Sequence, residues 1–176
     1  MKTIVVYTSR TGFTQQYAEF ISYGLNCEYI PLDKADPFAL KEFPLILYGG
    51  PVHGGDIEGL DTLRGMARGR VLVFAVGALP DTEVVRAKLR NANDIPEEDF
   101  FYLEGGMRYD ELPPGTKRAL RLYQHTLEMG NQDNLSPEQR FFLNNIGRTF
   151  DHSSLDGVKE LTDFLESERG QKLTAH

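Results

Sequence analysis

The stretch Ile4-Val5-Val6-Tyr7-Thr8-Ser9-Arg10-Thr11-Gly12-Phe13-Thr14 sets the architecture. Its first four residues are apolar and mostly β-branched, which reads as a short buried strand. A loop of hydroxyl residues and one glycine follows. From Thr14 onward Tyr17, Phe20, Ile21 and Leu25 recur at helical spacing, with Gly24 near the end of that helix. A strand that feeds a helix through a tight loop is the opening unit of an alternating α/β chain.

The rest of the chain repeats the unit. Cys27-Glu28-Tyr29-Ile30 reads as a second strand closed by Pro31, and 33–41 as a polar connection with one helical turn. Pro44 to Tyr48 is the third strand and runs into Gly49-Gly50-Pro51. Ile57 to Arg68 carries Ile57, Leu60, Leu63 and Met66 on one face, which predicts a helix. Val71 to Val76 lacks alternation, so it is expected at the sheet centre with both faces covered. Asp81 or Thr82 caps a helix bearing Val84, Val85 and Leu89, and Phe100 to Leu103 is the fifth strand. Right-handed crossovers between these strands give a doubly wound three-layer α/β sandwich, with a five-stranded parallel sheet in the order 2-1-3-4-5.

After the fifth strand the pattern breaks. A closing helix is expected over 154–168, with Gly170 beyond it, so 106–150 is a helical insert. Pro113-Pro114 opens one insert helix to Met129, with Lys117, Arg121, Gln124 and Glu128 on a polar face. Ser136-Pro137-Glu138-Gln139 has the spacing of a capping box with Pro in the first turn. A second helix carries Phe141, Phe142, Leu143 and Ile146, and Gly147 ends it.

Composition narrows the functions. The 176 residues suit one domain, and 40% hydrophobic with 26% charged is an ordinary globular balance. A formal net charge of -7 argues against a nucleic-acid partner. No apolar run is long enough for an integral membrane span, and none reads as a signal peptide. One cysteine, Cys27, leaves no disulfide framework, and it is expected as inert core. A cytoplasmic protein is the expectation.

Three loops fall on the carboxyl edge of the sheet, where such folds bind ligands. The first, Thr8, Ser9, Arg10, Thr11, Gly12, Phe13 and Thr14, offers hydroxyls and backbone N–H groups at a helix amino end, where a phosphate is favoured. No Lys follows a glycine-rich loop and G-x-G-x-x-G is absent, so a monophosphate fits better than a triphosphate or a dinucleotide. The second loop holds Gly50, Pro51, Val52, His53 and Gly54 among four glycines, and Val52 with His53 would flank one face of a flat ring. The third, Gly77, Ala78 and Leu79, would close the other face. The same residues also allow a plain reading, with Thr and Ser as helix caps and the glycines as a flexible turn. An acidic pair after strand one, needed by a phosphoacceptor receiver on this fold, is replaced by Thr8-Ser9. His125, His152 and His176 have no partner at metal-ligand spacing, and no metal site or catalytic side chain is expected. Lys117, Arg118 and Arg121 read as a solvated face.

The stretch from Ile4 to Thr14 resembles the phosphate-binding signature of flavodoxins, matching T/S-x-T-G-x-T at Ser9, Thr11, Gly12 and Thr14. Arg10 departs from plain flavodoxins and is similar to the menaquinone-dependent protoporphyrinogen dehydrogenase branch. Gly105-Gly106-Met107-Arg108-Tyr109 and the insert resemble that branch too. Where flavodoxins carry a ring-flanking Trp and Tyr, this chain has Val52-His53 and Ala78-Leu79. The resemblance implies FMN as cofactor, with the 49–50 or 54–55 glycine pair at the N5 edge of its ring. It also implies a redox partner protein or a small-molecule electron donor or acceptor, a quinone or a porphyrin among them. The acidic chain is expected to hold the flavin's potential low. Three functions stay open: an electron carrier through FMN, an FMN-dependent dehydrogenase, and a flavin-free interaction domain. Deleting 110–148 is expected to remove turnover and spare FMN binding if the insert shapes a substrate site.

Overall fold

Alternation along the first strand builds two cores at once. In the computed structural model, which describes residues 2–174, β1 (Thr3–Tyr7) is buried along its length. Val5 and Tyr7 face the helices α1 (Phe13–Leu25) and α7 (Asp156–Thr174), while Ile4 and Val6 face the opposite layer. That second layer is made by α2 (Pro37–Leu40), α3 (Leu60–Met66) and α4 (Glu83–Ala92). Tyr48, Leu60, Leu63, Val85 and Leu89 fill it, and Tyr17, Ile21, Phe74, Leu161 and Leu165 fill the first.

The sheet carries β2 (Glu28–Pro31), β3 (Leu45–His53), β5 (Arg70–Gly77) and β6 (Phe100–Glu104) beside β1, in the order β2-β1-β3-β5-β6. Every pair along this path is parallel. A short strand β4 (Asp56–Ile57) pairs antiparallel with the end of β3. The five long strands thus have the order 2-1-3-4-5 expected from the sequence. The central strand is β3 rather than β5, although β5 lies inside the sheet with both faces covered. Cys27 precedes β2 instead of opening it, and is half-buried against the first core, because β2 is an edge strand with Glu28 and Tyr29 exposed.

Three further differences in boundary each have a local reason. Strand β3 does not end at Tyr48: its ladder to β5 continues through Gly49, Gly50 and Pro51. It does so because Gly49 leaves room for the buried Phe74 ring, which a Cβ would strike. The expected helix over 57–68 starts three residues later, since Ile57 is held in β4 and Gly59 turns the chain at φ +81° before α3. Helix α7 runs through Gly170 to Thr174, since one interior glycine costs only about 1 kcal/mol.

The insert folds as read, into α5 (Pro114–Met129) and α6 (Pro137–Asn145). Ser136 and Gln139 form the reciprocal capping box, and Thr82 caps α4. What the sequence did not show is the neck. Strands β7 (Gly106–Met107) and β8 (Phe150–Asp151) pair antiparallel where the insert leaves and re-enters the domain. His152 N–H donates to Gly105 O at 2.9 Å, and the Tyr17 hydroxyl donates to Glu104 O while accepting from Ser154 N–H at 3.0 Å. One buried tyrosine therefore touches both ends of the insert. His125 is exposed, His152 packs edge-on against Phe141, and His176 lies outside the described residues.

Candidate functional site

Parallel strands that end together leave their loops on one edge, and here those loops enclose a cleft of about 340 Å³. Ser9, Arg10, Thr11, Phe13 and Thr14 form one wall; Pro51, Val52, His53 and Gly54 form the second. Gly77 and Ala78 stand across from them with Val76. Eleven of the fifteen residues singled out in the sequence therefore line one cavity. Thr8, Gly12, Gly50 and Leu79 do not line it.

Each exception has a structural job. Gly12 is the residue before α1, in the left-handed region at φ 95°. It brings no side-chain cap, and the first turn of α1 holds no acid, so the helix amino end stays electropositive beside Ser9, Thr11 and Thr14. The Gly12 N–H itself donates to Ser9 Oγ at 3.2 Å, which closes the loop. Gly50 lies within β3, where a Cβ would press on Glu58 O. Leu79 packs into the second core, and its carbonyl accepts from the Tyr102 hydroxyl at 2.8 Å, anchoring the third loop from below.

Thr8 belongs to a buried relay. The Tyr48 hydroxyl donates to Glu58 O at 2.6 Å, so the 2.9 Å contact between Thr8 Oγ1 and Tyr48 Oη has Thr8 as its donor. Burial pushes the Tyr48 hydroxyl up to about 12, against the opposing pull of the Thr8 hydrogen bond. Unfolded, the phenol titrates near 10.0. Its contribution to stability is thus complete below about pH 10 and fades as the pH climbs through 12. Tyr48→Phe is expected to flatten the loss of stability over that alkaline window by on the order of 2 kcal/mol. Urea midpoints for both proteins across pH 9–12 check this, and parallel slopes would refute it.

The glycine turn 54–55 is a hairpin bend, with φ +61° at Gly54 and +97° at Gly55, the signs a two-residue loop between twisted strands requires. Only Gly54 of the two glycine pairs reaches the cleft. Asn93 holds the bend in place, with Nδ2 donating to Gly55 O at 2.9 Å and Oδ1 accepting from Ile57 N–H at 3.0 Å. Two walls are then joined across their tops: Arg10 Nε donates to Glu58 Oε2 at 2.7 Å. The Arg10 side chain is 64% exposed, so this pair adds little stability but fixes the first loop against the hairpin.

The sequence missed the fourth wall. Gly106, Met107, Arg108, Leu112, Thr116 and Leu120, all from the neck and the insert, face the three loops. Glu58 also lines the cleft. Helical spacing of Leu112, Thr116 and Leu120 was the available signal, but it does not say which way the insert folds. Arg118 and Arg121 are exposed, in keeping with a solvated face, and two of the three cations also reach the neck: Lys117 donates to Asp110 O at 2.9 Å and Arg121 to the Tyr109 hydroxyl at 3.2 Å. Among the described residues no cluster of His, Cys, Asp or Glu is arranged to hold a metal, and no helix is long and apolar enough to cross a membrane.

A family model described as a flavodoxin domain matches residues 4–134. No curated protein matches the chain. Among solved structures, the chain is similar to a flavodoxin from the domain Archaea at 22% identity, covering 59% of this chain and 83% of that one, with a TM-score of 0.43. It is similar to oxidised flavodoxin 2 from Bacillus cereus at 17% identity, over 59% and 84% of the two chains, TM-score 0.42. Two-electron reduced Megasphaera elsdenii flavodoxin shares 16% identity over 64% and 89%, TM-score 0.44.

Proposed function

We propose, from the premise that this chain belongs to the flavodoxin domain family, that it is a redox protein working through bound FMN. The observation that carries this is the convergence of the uncapped, hydroxyl-ringed amino end of α1 with the glycine-bearing loops on one cleft. The residues present suit the cofactor. Ser9, Thr11 and Thr14 offer hydroxyls to a phosphate, and Val52, Gly54, Gly77 and Ala78 line a passage for a planar ring. Bound flavin supplies one- and two-electron transfer. The protein's part is to hold the phosphate, seat the ring between apolar side chains and keep bulk water from its far side. No side-chain acid or base is needed for that.

Titration of the stripped protein with FMN tests the reading: quenched flavin fluorescence is expected, and its absence in folded material leaves an interaction domain without flavin. Thr11→Val removes one of the hydroxyls that this reading assigns to the phosphate. It is expected to weaken FMN binding roughly tenfold, by analogy with losing a hydrogen bond to a charged group, and to leave riboflavin binding unchanged. Equal losses for both ligands would place Thr11 away from the phosphate.

A second reading draws on the fourth wall. Met107, Leu112 and Leu120 extend the cleft with apolar surface that a ring cofactor alone does not require. That surface favours a small-molecule electron donor or acceptor in direct contact with the flavin, as in the protoporphyrinogen dehydrogenase branch, over a carrier that meets only partner proteins. Turnover of a reduced porphyrin with a quinone acceptor decides between them.

A further inference from the structure

We infer that Arg108, carried on the neck of the insert, is the cation that grips the ligand's phosphate, and that Arg10 is not. The inference rests on the reading of the cleft as an FMN site. Among the described residues, Arg108 Nε is the one buried side-chain nitrogen or oxygen without a hydrogen-bond partner. Among the described residues no acceptor or ion pair claims the guanidinium, and with Nε sealed by packing it is the terminal nitrogens of the fork that are left for an acceptor in the cleft. The guanidinium carbon lies 5.0 Å from the ring centroid of Phe13, the first residue of α1. Stacking on that ring fixes the fork beside the helix amino end, and Arg108 shares the cleft with Ser9, Thr11 and Thr14.

The neighbouring acids do not claim it. Asp151 accepts from Ser153 N–H at 2.8 Å and from Ser153 Oγ–H at 2.6 Å. Those bonds are the chief reason its carboxyl sits below the ordinary range, with Arg108 a lesser one. Arg10, in contrast, already spends its Nε on Glu58 at 2.7 Å. The sequence places Arg10 inside the phosphate loop; the fold gives that arginine a structural pairing and brings a second one from 98 positions along the chain, 108 against 10. A planar guanidinium matches two phosphate oxygens, which a lone hydroxyl does not. The consequence is that the first residues of the insert form part of the cofactor site.

The test compares FMN and riboflavin on the stripped full-length protein, by fluorescence quenching, for Arg108→Met, Arg108→Lys and Arg10→Met. Methionine keeps the length and the contact with Phe13. Arg108→Met is expected to weaken FMN at least tenfold and riboflavin less than twofold; Arg108→Lys recovers part of the loss, and Arg10→Met loses less than Arg108→Met. Equal losses of FMN and riboflavin in Arg108→Met, or a larger FMN-specific loss in Arg10→Met, overturns the inference. Should the wild type bind neither flavin, the functional reading falls separately. The anion role of Arg108 then rests on inorganic phosphate, which must raise the melting temperature of the wild type and not that of Arg108→Met. A failure there overturns it.

Discussion

Alanine at Gly59 is expected to cost about 2–5 kcal/mol of folding stability, lowering the urea midpoint sharply. Two costs combine. The residue sits at φ +81°, where a Cβ crowds the backbone for roughly 1–2 kcal/mol. The same Cβ would stand 2.7 Å from Thr8 Oγ1 and 2.8 Å from Leu32 Cδ2, and would overlap the Tyr48 hydroxyl. Tyr48 is fully buried and already committed to Glu58 O, so it has nowhere to move, and overpacking of this kind adds about 1–3 kcal/mol. Gly12→Ala is the control. Its φ of +95° carries the same backbone penalty, but nothing lies within 4 Å of the added carbon. A loss of only about 1–2 kcal/mol is expected there. Similar losses at the two positions would mean that the relay through Thr8, Tyr48 and Glu58 is not rigid.

Removing 110–148 is expected to leave a folded sheet that binds FMN on the order of 100-fold more weakly. The deletion joins Tyr109 to Thr149, so Arg108, Tyr109 and Thr149 bridge Met107 and Phe150, which pair across the neck. That is the length of an ordinary hairpin loop. Neither core cluster contains a residue of the deleted segment, so the melting transition should stay cooperative. The cleft proposed for the flavin, by contrast, loses Leu112, Thr116 and Leu120. Stripping that much apolar wall from a bound ring costs about 3 kcal/mol, which sets the fold-change. The sequence supports spared FMN binding only on the condition that the insert shapes a substrate site alone, because it does not show that the insert also lines the cleft. Unchanged FMN affinity in the shortened protein would restore the first expectation; an unfolded product would make the insert structural.

What the sequence showed and what it hid divide along physical lines. Ile4 to Tyr7 and Val71 to Val76 were legible because strands buried on both faces must be apolar throughout. The hydroxyl loop, the Thr82 cap and the box at Ser136 and Gln139 were legible because capping is local chemistry written in adjacent residues. The continuation of β3 past Tyr48 was not, since it depends on the Phe74 ring from another strand occupying the space that Gly49 leaves. Two-residue strands such as β7 and β8 have no periodicity to read, and their pairing spans more than forty residues. The cleft wall supplied by the insert, Arg108 included, is a product of that pairing. Thr8 and Leu79 are held by Tyr48 and Tyr102, whose reach no pattern of spacing reveals.

The neck of two paired dipeptides has a bearing on how such a protein diversifies. Closing a flexible loop grows dearer only slowly with its length, by roughly 0.6 kcal/mol per doubling. Because β7, β8, Tyr17 and His152 hold the two exits side by side, whatever is strung between them can lengthen, shorten or be exchanged wholesale while the central sheet registers almost nothing. This address works as a socket: a foreign helical hairpin grafted between Tyr109 and Thr149 would arrive already aimed at the mouth of the cleft, which makes the position a natural one for installing new substrate preferences.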